Sequence, residues 1–352
     1  MRYVLLTLFT LLSISCTKAS SDVVDKEIRK ISPKCESTLT RKFRGLHLSV
    51  TNVSPEDVIR TVELAKQNGF NTIVLSLAKW QSLALDSNSW IESSKKKKTW
   101  SREDLSRVSN HIKSVGMDLI PHLTLFSHQI VFLQPYFPEL MYNSKTYDPR
   151  KGEALYGKVV PIIDEILALT GADTLHIGHD EVVGWTQRHW DKGILQPGEK
   201  QAPAELYLRS VLDLHELAKR KNIRLMMWAD MLISNDEFPE MSRSGSLHNQ
   251  PGGYGKPLRD QIPRDIILVD WHYLERRHNF PSIKTLLDEG FAVIGSTYTK
   301  QSTIKNFSSY SASVGACGML ATTWTEFISH KWDDVKEIIE FSGGEFSSSF
   351  PD

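Results

Sequence analysis

Apolar positions along the chain alternate between short, almost continuously hydrophobic runs and longer stretches with one apolar stripe at helical spacing. The first run is Phe43–Val50. The helical stretch after it has Ser54 as its N-cap, Pro55 in its first turn and Gly69 at its end. Phe70–Leu77 is again nearly all apolar, which is typical of a parallel strand covered on both faces. The pattern therefore predicts a strand–helix unit.

The same unit repeats to the end of the chain. The later predicted strands are Met117–Leu123, the run that leads into Asp180, Ile223–Trp228, Asp265–Trp271, Phe291–Gly295 and Cys317–Thr323. The later predicted helices are Ser101–Gly116, Glu153–Leu169, Ala202–Lys221, Pro281–Glu289, Lys300–Val314 and Asp334–Glu345. Eight such units predict an α/β fold, a closed (β/α)8 TIM barrel, because right-handed crossovers keep adding strands until the edges meet.

The N-terminal residues 1–15 are predicted to be a signal peptide of the lipoprotein type. Arg2 precedes an apolar run, Tyr3–Leu12, that is too short to span a bilayer. The run leads into Leu12–Cys16, which resembles a bacterial lipobox except that Ser13 stands where leucine is usual. We therefore expect lipid attachment at Cys16 and an exported, membrane-anchored protein, with secretion after ordinary signal cleavage as the alternative.

Residues 16–42 are polar and predict a flexible tether, with one short helix around Val23–Ile31. Residues 43–352 then form a single catalytic domain. Cys35 and Cys317 are weak evidence for a disulfide, and Cys317 is expected to be a small buried hydrophobe.

The composition limits the partners. Lysine plus arginine and aspartate plus glutamate number 42 each, so the net charge is zero and a nucleic-acid partner is not expected. The run Lys95–Lys98 is interpreted as a solvated loop.

Aromatic and acidic residues concentrate at the ends of the predicted strands. They include His122 and His128, Asp180 and Glu181, Trp228 and Asp230, Trp271 and His272, Tyr298, and Trp324 with Glu326, while Arg44 opens the first strand. In a barrel the carboxyl ends of the strands share one face, where active sites are built. Tryptophan faces that pack on a pyranose, together with carboxylates that bind its hydroxyls, predict a sugar-binding pocket.

The spacing of the central acids, Asp180 and Glu181, restricts the mechanism. Carboxyl groups that attack a sugar from two sides lie roughly 5 Å or more apart. Adjacent residues, with α-carbons about 3.8 Å apart, project from nearly one point. The pair therefore favours a reaction in which the substrate supplies its own nucleophile.

The segment His176–Val182 resembles the His-x-Gly-Gly-Asp-Glu-Val motif of family 20 glycoside hydrolases, the β-N-acetylhexosaminidases. Three other segments resemble that family in the same order: Phe43–Leu46, Trp100–His128 and Trp324–Glu326. The sequence departs from the family pattern at Ser49, at Ser76–Trp80 and at Pro121–Thr124, where acidic or histidine residues are usual. These departures leave the acetamido end of the pocket intact and concern the residues around it, and hence the preferred sugar and linkage.

The resemblance implies a retaining hydrolase that acts on N-acetylhexosamine-containing glycans through an oxazolinium intermediate, a recognised exception to the two-carboxylate scheme. It implies that Glu181 is the general acid and base, and that Asp180 orients the 2-acetamido group. The substrate-binding residues that it implies are Arg44, His128, His179, Trp228, Trp271, Tyr298, Trp324 and Glu326. Among these, Arg44 and Glu326 would bind ring hydroxyls and Tyr298 the attacking carbonyl. No metal or cofactor is expected.

Two alternatives remain open from the sequence. One is a carbohydrate-binding relative without turnover. The other is a metal-dependent barrel hydrolase that uses His122, His128, His176, His179 and Asp180. The sequence does not choose between N-acetylglucosamine and N-acetylgalactosamine as the preferred sugar.

Overall fold

A computed structural model describes residues 33–77, 83–91, 100–182, 195–196, 198–234, 236–239 and 253–352. The predicted signal peptide, Cys16, the tether helix at Val23–Ile31 and the run Lys95–Lys98 lie outside the described residues. Residues Ile31–Asp352 belong to one compact unit.

Eight parallel strands close into a barrel in sequence order, which confirms the predicted fold class. The strands are β1 (Phe43–Ser49), β2 (Thr72–Ser76), β3 (Asp118–Leu125), β4 (Thr174–Gly178), β5 (Arg224–Trp228), β6 (Ile267–Trp271), β7 (Ala292–Thr297) and β8 (Gly318–Thr322). Closure is made by β1 and β8, which pair from Phe43 with Gly318 to His47 with Thr322.

Helices surround the barrel. In the described part of the chain they are α1 (Pro33–Thr38), α2 (Pro55–Gln67), α3 (Arg102–Ser114), α4 (Val160–Thr170), α5 (Ala204–Lys221), α6 (Lys256–Arg259), α7 (Pro281–Asp288), α8 (Gln301–Ser313), α9 (Trp324–Ile328) and α10 (Trp332–Ser349). None of these helices is both long enough and apolar enough to cross a lipid bilayer.

The helix starts follow the predicted caps. The Ser54 hydroxyl accepts a hydrogen bond from the Asp57 amide at 3.1 Å. At α3 the Ser101 side chain and Asp104 satisfy each other's backbone amides as a capping box.

Some helical segments within the barrel domain differ from the predicted pattern. The stretch before α4 is a π-helical segment, Glu153–Val159. Pro161 lacks an amide donor and is tolerated only in the first turn of a helix, which explains why regular α-helix begins only at Val160. The short helices α6 and α9 were not predicted, because four or five residues are too few to show an apolar stripe.

The end of the predicted tether is folded rather than flexible. Cys35 in α1 forms a disulfide with Cys317 at the start of β8, with α-carbons 5.1 Å apart. Arg41 binds the Asp118 carboxylate at 2.8 Å and the Asn71 carbonyl at 2.9 Å. The expectation that Cys317 is a free buried hydrophobe is therefore wrong. The bridge joins positions 282 residues apart, so no local pattern revealed it, and bridges of this kind typically add about 2–5 kcal/mol of stability.

Candidate active site

Asp180 and Glu181 lie in a left-handed turn directly after β4. Gly178, His179 and Glu181 have φ angles of +72°, +65° and +49°. The left-handed conformation favours glycine at residue 178, and a Cβ there would also lie only 3.0 Å from the Leu123 carbonyl oxygen. The carboxyl side chains remain partly exposed, 19 % for Asp180 and 29 % for Glu181. The turn thus presents two adjacent acids at the carboxyl end of the barrel.

The His179 side chain connects this turn to α5. Its Nδ1 donates to the Ile177 carbonyl at 3.0 Å, so its Nε2 accepts from the Ser210 hydroxyl at 3.1 Å. The Tyr147 hydroxyl in turn lies 2.8 Å from Ser210 Oγ, and the Tyr207 hydroxyl donates to the His179 carbonyl at 3.1 Å. The predicted role of His179 in substrate binding is therefore wrong, because its ring is fully buried between β4 and α5.

Asp230, which follows β5, binds the backbone of the turn. Its Oδ2 accepts a hydrogen bond from the Glu181 backbone amide at 2.9 Å. The Trp271 indole N–H also donates to this carboxyl group. Burial raises the pKa of Asp230 well above its ordinary value, and the neighbouring charge of Asp180 raises it further. The sequence predicts that Asp230 lies at a strand end, but it does not predict this contact with Glu181.

His128 faces both central acids. It follows β3 in a left-handed conformation, with φ +56°. Its Nε2 lies 3.5 Å from Asp180 Oδ2 and 3.5 Å from Glu181 Oε2. Burial alone would raise the pKa of Asp180, but the charge and hydrogen bonding of His128 outweigh it and leave the pKa below its ordinary value. Asp180 is therefore ionised at neutral pH.

Lys145 is a site residue that the sequence did not reveal. It lies in the long loop after β3 and is only 4 % exposed. Burial lowers the pKa of its ammonium group, while the charges of Glu181, Asp180 and Asp230 oppose that shift. A lysine in a loop of mixed composition carries no pattern that indicates burial, so only the fold places it beside these acids.

The aromatic wall includes the three predicted tryptophans. Trp228 is buried at the end of β5, with its ring centroid 5.9 Å from that of Trp324. The Trp324 indole donates to the Tyr273 hydroxyl at 3.1 Å, and the Tyr273 ring lies 4.9 Å from Trp271. Tyr273 was missed, although it comes two residues after the strand-end Trp271 and the strand-end rule could have found it.

Tyr298 and Glu326 come together near this wall. The Tyr298 hydroxyl donates to a Glu326 carboxylate oxygen and lies 2.9 Å from Thr325 Oγ1. Burial and the adjacent Glu326 carboxylate raise the pKa of Tyr298 to about 12. The Tyr298 ring lies 5.6 Å from that of Tyr273, so the pair continues the aromatic wall.

Three buried histidines form a layer inside the barrel. His47 Nε2 lies 3.1 Å from His122 Nδ1, and the His122 and His176 ring centroids are 4.4 Å apart. Trp228 and Trp324 pack on this layer, with Trp228 4.6 Å from His176 and Trp324 4.3 Å from His47. Burial lowers the pKa of His47 and of His176 to about 3, and that of His122 well below its ordinary value. The layer is therefore uncharged at neutral pH.

The predicted sugar contact of Arg44 is wrong. Arg44 lies at the amino end of β1, and its side chain alternates with that of His47, which lies inside the barrel, so Arg44 faces outward like Leu46 and Leu48. Its guanidinium donates to the Gly69 and Phe350 carbonyls at 2.7 and 2.8 Å, and it pairs with the side-chain carboxylate of Asp352. The arginine thus ties the end of the chain to the opposite end of the barrel from the acid pair.

His272 also points away from the site. Its ring nitrogens lie 3.1 Å from Glu275 Oε1 and 3.0 Å from Ser282 Oγ, and Ser282 donates to Asp270 at 2.7 Å. Burial lowers the pKa of His272, but the charges of Asp270 and Glu275 outweigh it and raise the pKa to about 9. This buried ion network joins β6 to α7.

Among the described residues, the group able to hold a metal ion is His128, Asp180 and Glu181, whose nearest ligand atoms lie within 4.8 Å of one another. It differs from the predicted metal set. His122 and His176 lie in the interior layer, and His179 faces α5. Lys145 places a buried amino group near the same carboxylates.

The fold and the site together define a glycosidase-type (β/α)8 barrel, with an acid pair and a tryptophan wall at the carboxyl ends of its strands. The model of the glycosyl hydrolase family 20 catalytic domain matches residues 42–338. The chain belongs to glycosyl hydrolase family 20, which confirms the resemblance seen in its sequence, and it carries a hexosaminidase-like glycoside hydrolase domain.

Individual relatives are distant. The lacto-N-biosidase of Bifidobacterium bifidum is 27 % identical over 157 residues, which cover 41 % of this chain and 14 % of that protein. The chitobiase structure from Flavobacterium johnsoniae has a TM-score of 0.59 and 16 % identity over 88 % of this chain and 51 % of its own. Dispersin B has a TM-score of 0.63 and 16 % identity over 87 % and 99 %. The chain therefore spans about half or less of the first two relatives, and the structural similarities concern the fold.

The buried histidines predict a loss of stability in acid. The pKa values of His47 and His176 are about 3 and that of His179 about 4, against an ordinary value of 6.5. Below about pH 6.5 the unfolded chain therefore binds protons that the folded chain does not, and each such histidine removes about 1.4 kcal/mol of stability per pH unit. Urea unfolding between about pH 6 and pH 4 should show a shallower loss for His47→Gln than for wild type. The exposed His278→Gln is the control, and equal slopes for wild type and His47→Gln would contradict the assignment.

Proposed function

We propose that the protein is a retaining β-N-acetylhexosaminidase that acts by substrate-assisted catalysis. The main observation in support is that the two acids lie close together. Asp180 and Glu181 have carboxylate oxygens within 4.8 Å of each other and of one His128 nitrogen. Two-carboxylate glycosidases place these groups about 5–5.5 Å apart when they retain and about 6.5–9.5 Å apart when they invert, on opposite sides of the sugar. A pair on one side suits a nucleophile that belongs to the substrate.

In the first step Glu181 protonates the glycosidic oxygen while the acetamido carbonyl oxygen bonds to the anomeric carbon. The leaving group departs with that proton, and a cyclic oxazolinium ion remains. In the second step the Glu181 carboxylate takes a proton from water as the water attacks the anomeric carbon and opens the ring. The anomeric configuration is retained, because that carbon is inverted twice.

Asp180 supplies the counter-charge. Its pKa is held below the ordinary value despite burial, so its carboxylate is available beside the positive charge that develops on the acetamido group. Trp228, Trp271 and Trp324 are proposed to enclose the acetamido group and the sugar ring, which supports binding through apolar faces.

Recognition of the ring hydroxyls is assigned to Glu326. Tyr298, which is hydrogen-bonded to Glu326, is assigned to the attacking acetamido carbonyl. Arg44 takes no part, because its guanidinium is bound at the other end of the barrel. The proposed substrate class is therefore a glycan with a terminal β-linked N-acetylhexosamine, and the choice between the gluco and galacto epimers is left to assay.

We also propose that the protein is exported and anchored through Cys16. The Cys35–Cys317 disulfide supports export, since such bridges persist in oxidising compartments. The lipobox-like run Leu12–Cys16 supports the anchor.

Substitutions of Glu181 and Asp180 should slow the reaction in different ways. Glu181→Gln removes the proton donor, so alkyl β-N-acetylglucosaminides should lose about 10²–10⁴-fold in kcat, and nitrophenyl glycosides much less. Asp180→Asn removes the counter-charge and should slow both classes by about 10²-fold or more. Release of nitrophenol and of the alkyl alcohol gives both rates for the gluco and galacto substrates, with the exposed Glu139→Gln as the control.

The same assay separates the alternatives. A folded wild type that binds N-acetylglucosamine but releases no product would be the non-catalytic relative. Loss of activity in EDTA, with recovery on adding zinc, would favour metal-dependent hydrolysis through His128, Asp180 and Glu181. An inert thiazoline analogue of the oxazolinium, tested against an active enzyme, would count against substrate assistance.

The proposed lipid anchor predicts that loss of Cys16 moves the protein from the membrane fraction to the aqueous fraction. In a bacterial host, wild type should sediment with membranes and incorporate labelled fatty acid, because a thiol-linked lipid holds it there. Cys16→Ser should be found in the aqueous fraction without label. Equal solubility of the two proteins would refute the anchor and leave secretion.

A further inference from the structure

We propose that Asp230 is a positioning residue for the general acid, fixing the orientation of Glu181 through its backbone amide. The inference rests on the proposed role of Glu181. It assigns to a third carboxyl group a task that is neither acid–base chemistry nor sugar binding.

The contact joins two strand ends. Asp230 follows β5 and Glu181 follows β4, and the 2.9 Å hydrogen bond runs from the Glu181 amide to Asp230 Oδ2. At the acceptor end, the Asp230 residue is 1 % exposed, so water does not easily replace it as the partner. The direction in which the Glu181 side chain leaves the backbone is set at the atom next to this bond.

Glu181 needs such a restraint. Its φ of +49° is left-handed, a conformation that a glutamate adopts only when its surroundings hold it there. The network behind the turn restrains His179, and His128 faces the carboxylates, whereas Asp230 holds the amide of Glu181 itself. If the amide lost its acceptor, the turn could relax and move the acid away from the glycosidic oxygen.

Asp230 is itself firmly placed. It begins the 3-10 turn Asp230–Leu232, whose last carbonyl accepts from Arg259 Nη1 at 2.6 Å. The Arg259 side chain is fully buried and binds Glu237 and Glu289 at 2.7 and 2.6 Å. With the Trp271 indole on its carboxyl group as well, Asp230 is a rigid acceptor.

The test separates the hydrogen bond from the charge. Asp230→Asn keeps an oxygen that can accept from the Glu181 amide, whereas Asp230→Leu has a similar volume and no acceptor. For Asp230→Leu we expect kcat on alkyl N-acetylglucosaminides to fall about 10²-fold, and kcat on nitrophenyl glycosides to fall less than about 10-fold, because only the proton donor is misplaced. KM should stay within about 2-fold, and Asp230→Asn should restore most of the alkyl rate.

The matched control is Asp270→Asn, another carboxyl group that is 1 % exposed but binds Ser282 rather than the turn. It should lower the melting temperature without changing the ratio of alkyl to nitrophenyl rates. If Asp230→Leu does not fold, Asp230→Ser, whose hydroxyl is too short to reach the amide, takes its place with the same expectation.

Two results would overturn the inference. One is that Asp230→Leu, or Asp230→Ser in its place, loses the same factor in kcat on alkyl and on nitrophenyl substrates. The other is that Asp230→Asn loses as much kcat on alkyl substrates as the variant that has no acceptor. Glu181→Gln, assayed alongside, shows whether the acid role of Glu181 or only the positioning role of Asp230 is wrong. If Glu181→Gln also shows no dependence on the leaving group, the proposed acid role of Glu181 is wrong, and the positioning role of Asp230 falls with it.

Discussion

The left-handed turn after β4 is the constraint on which the site depends. The turn that presents the two adjacent acids at the carboxyl-end face has positive φ angles at Gly178, His179 and Glu181. Such a turn is unfavourable by itself, so the surrounding structure must stabilise it. The buried His179–Ser210 contact does so from α5, and Asp230 does so from β5. The helices and strands of the barrel thereby hold the geometry of the acid pair.

The charges of the site follow from the same packing. Asp180 stays ionised because His128 faces it, while burial and the charge of Asp180 raise the pKa of Asp230. Beneath them, His47, His122 and His176 fill the barrel with neutral polar rings. An ionised acid thus lies above an uncharged layer, where a developing positive charge interacts strongly with it.

Much of this was predictable from local pattern. The barrel followed from alternating apolar runs and capped helices, and the tryptophans and acids followed from the rule that active sites lie at strand ends. What the sequence could not show depends on orientation or on distant pairing. Arg44 belongs to the right motif but its guanidinium binds carbonyls outside the barrel, and the His179 ring contacts Ser210 of α5.

Other residues escaped prediction because nothing near them in the chain marks them. Lys145 and the Cys35–Cys317 bridge are set by contacts between distant segments. Nucleophilic attack by the substrate's own acetamido group is the central claim, and a series of nitrophenyl β-glycosides with zero to three fluorines on the N-acetyl group tests it most directly. Each fluorine weakens the attacking carbonyl oxygen, so the account predicts that kcat/KM falls steadily along the series. A kcat/KM that does not change with fluorination would contradict it.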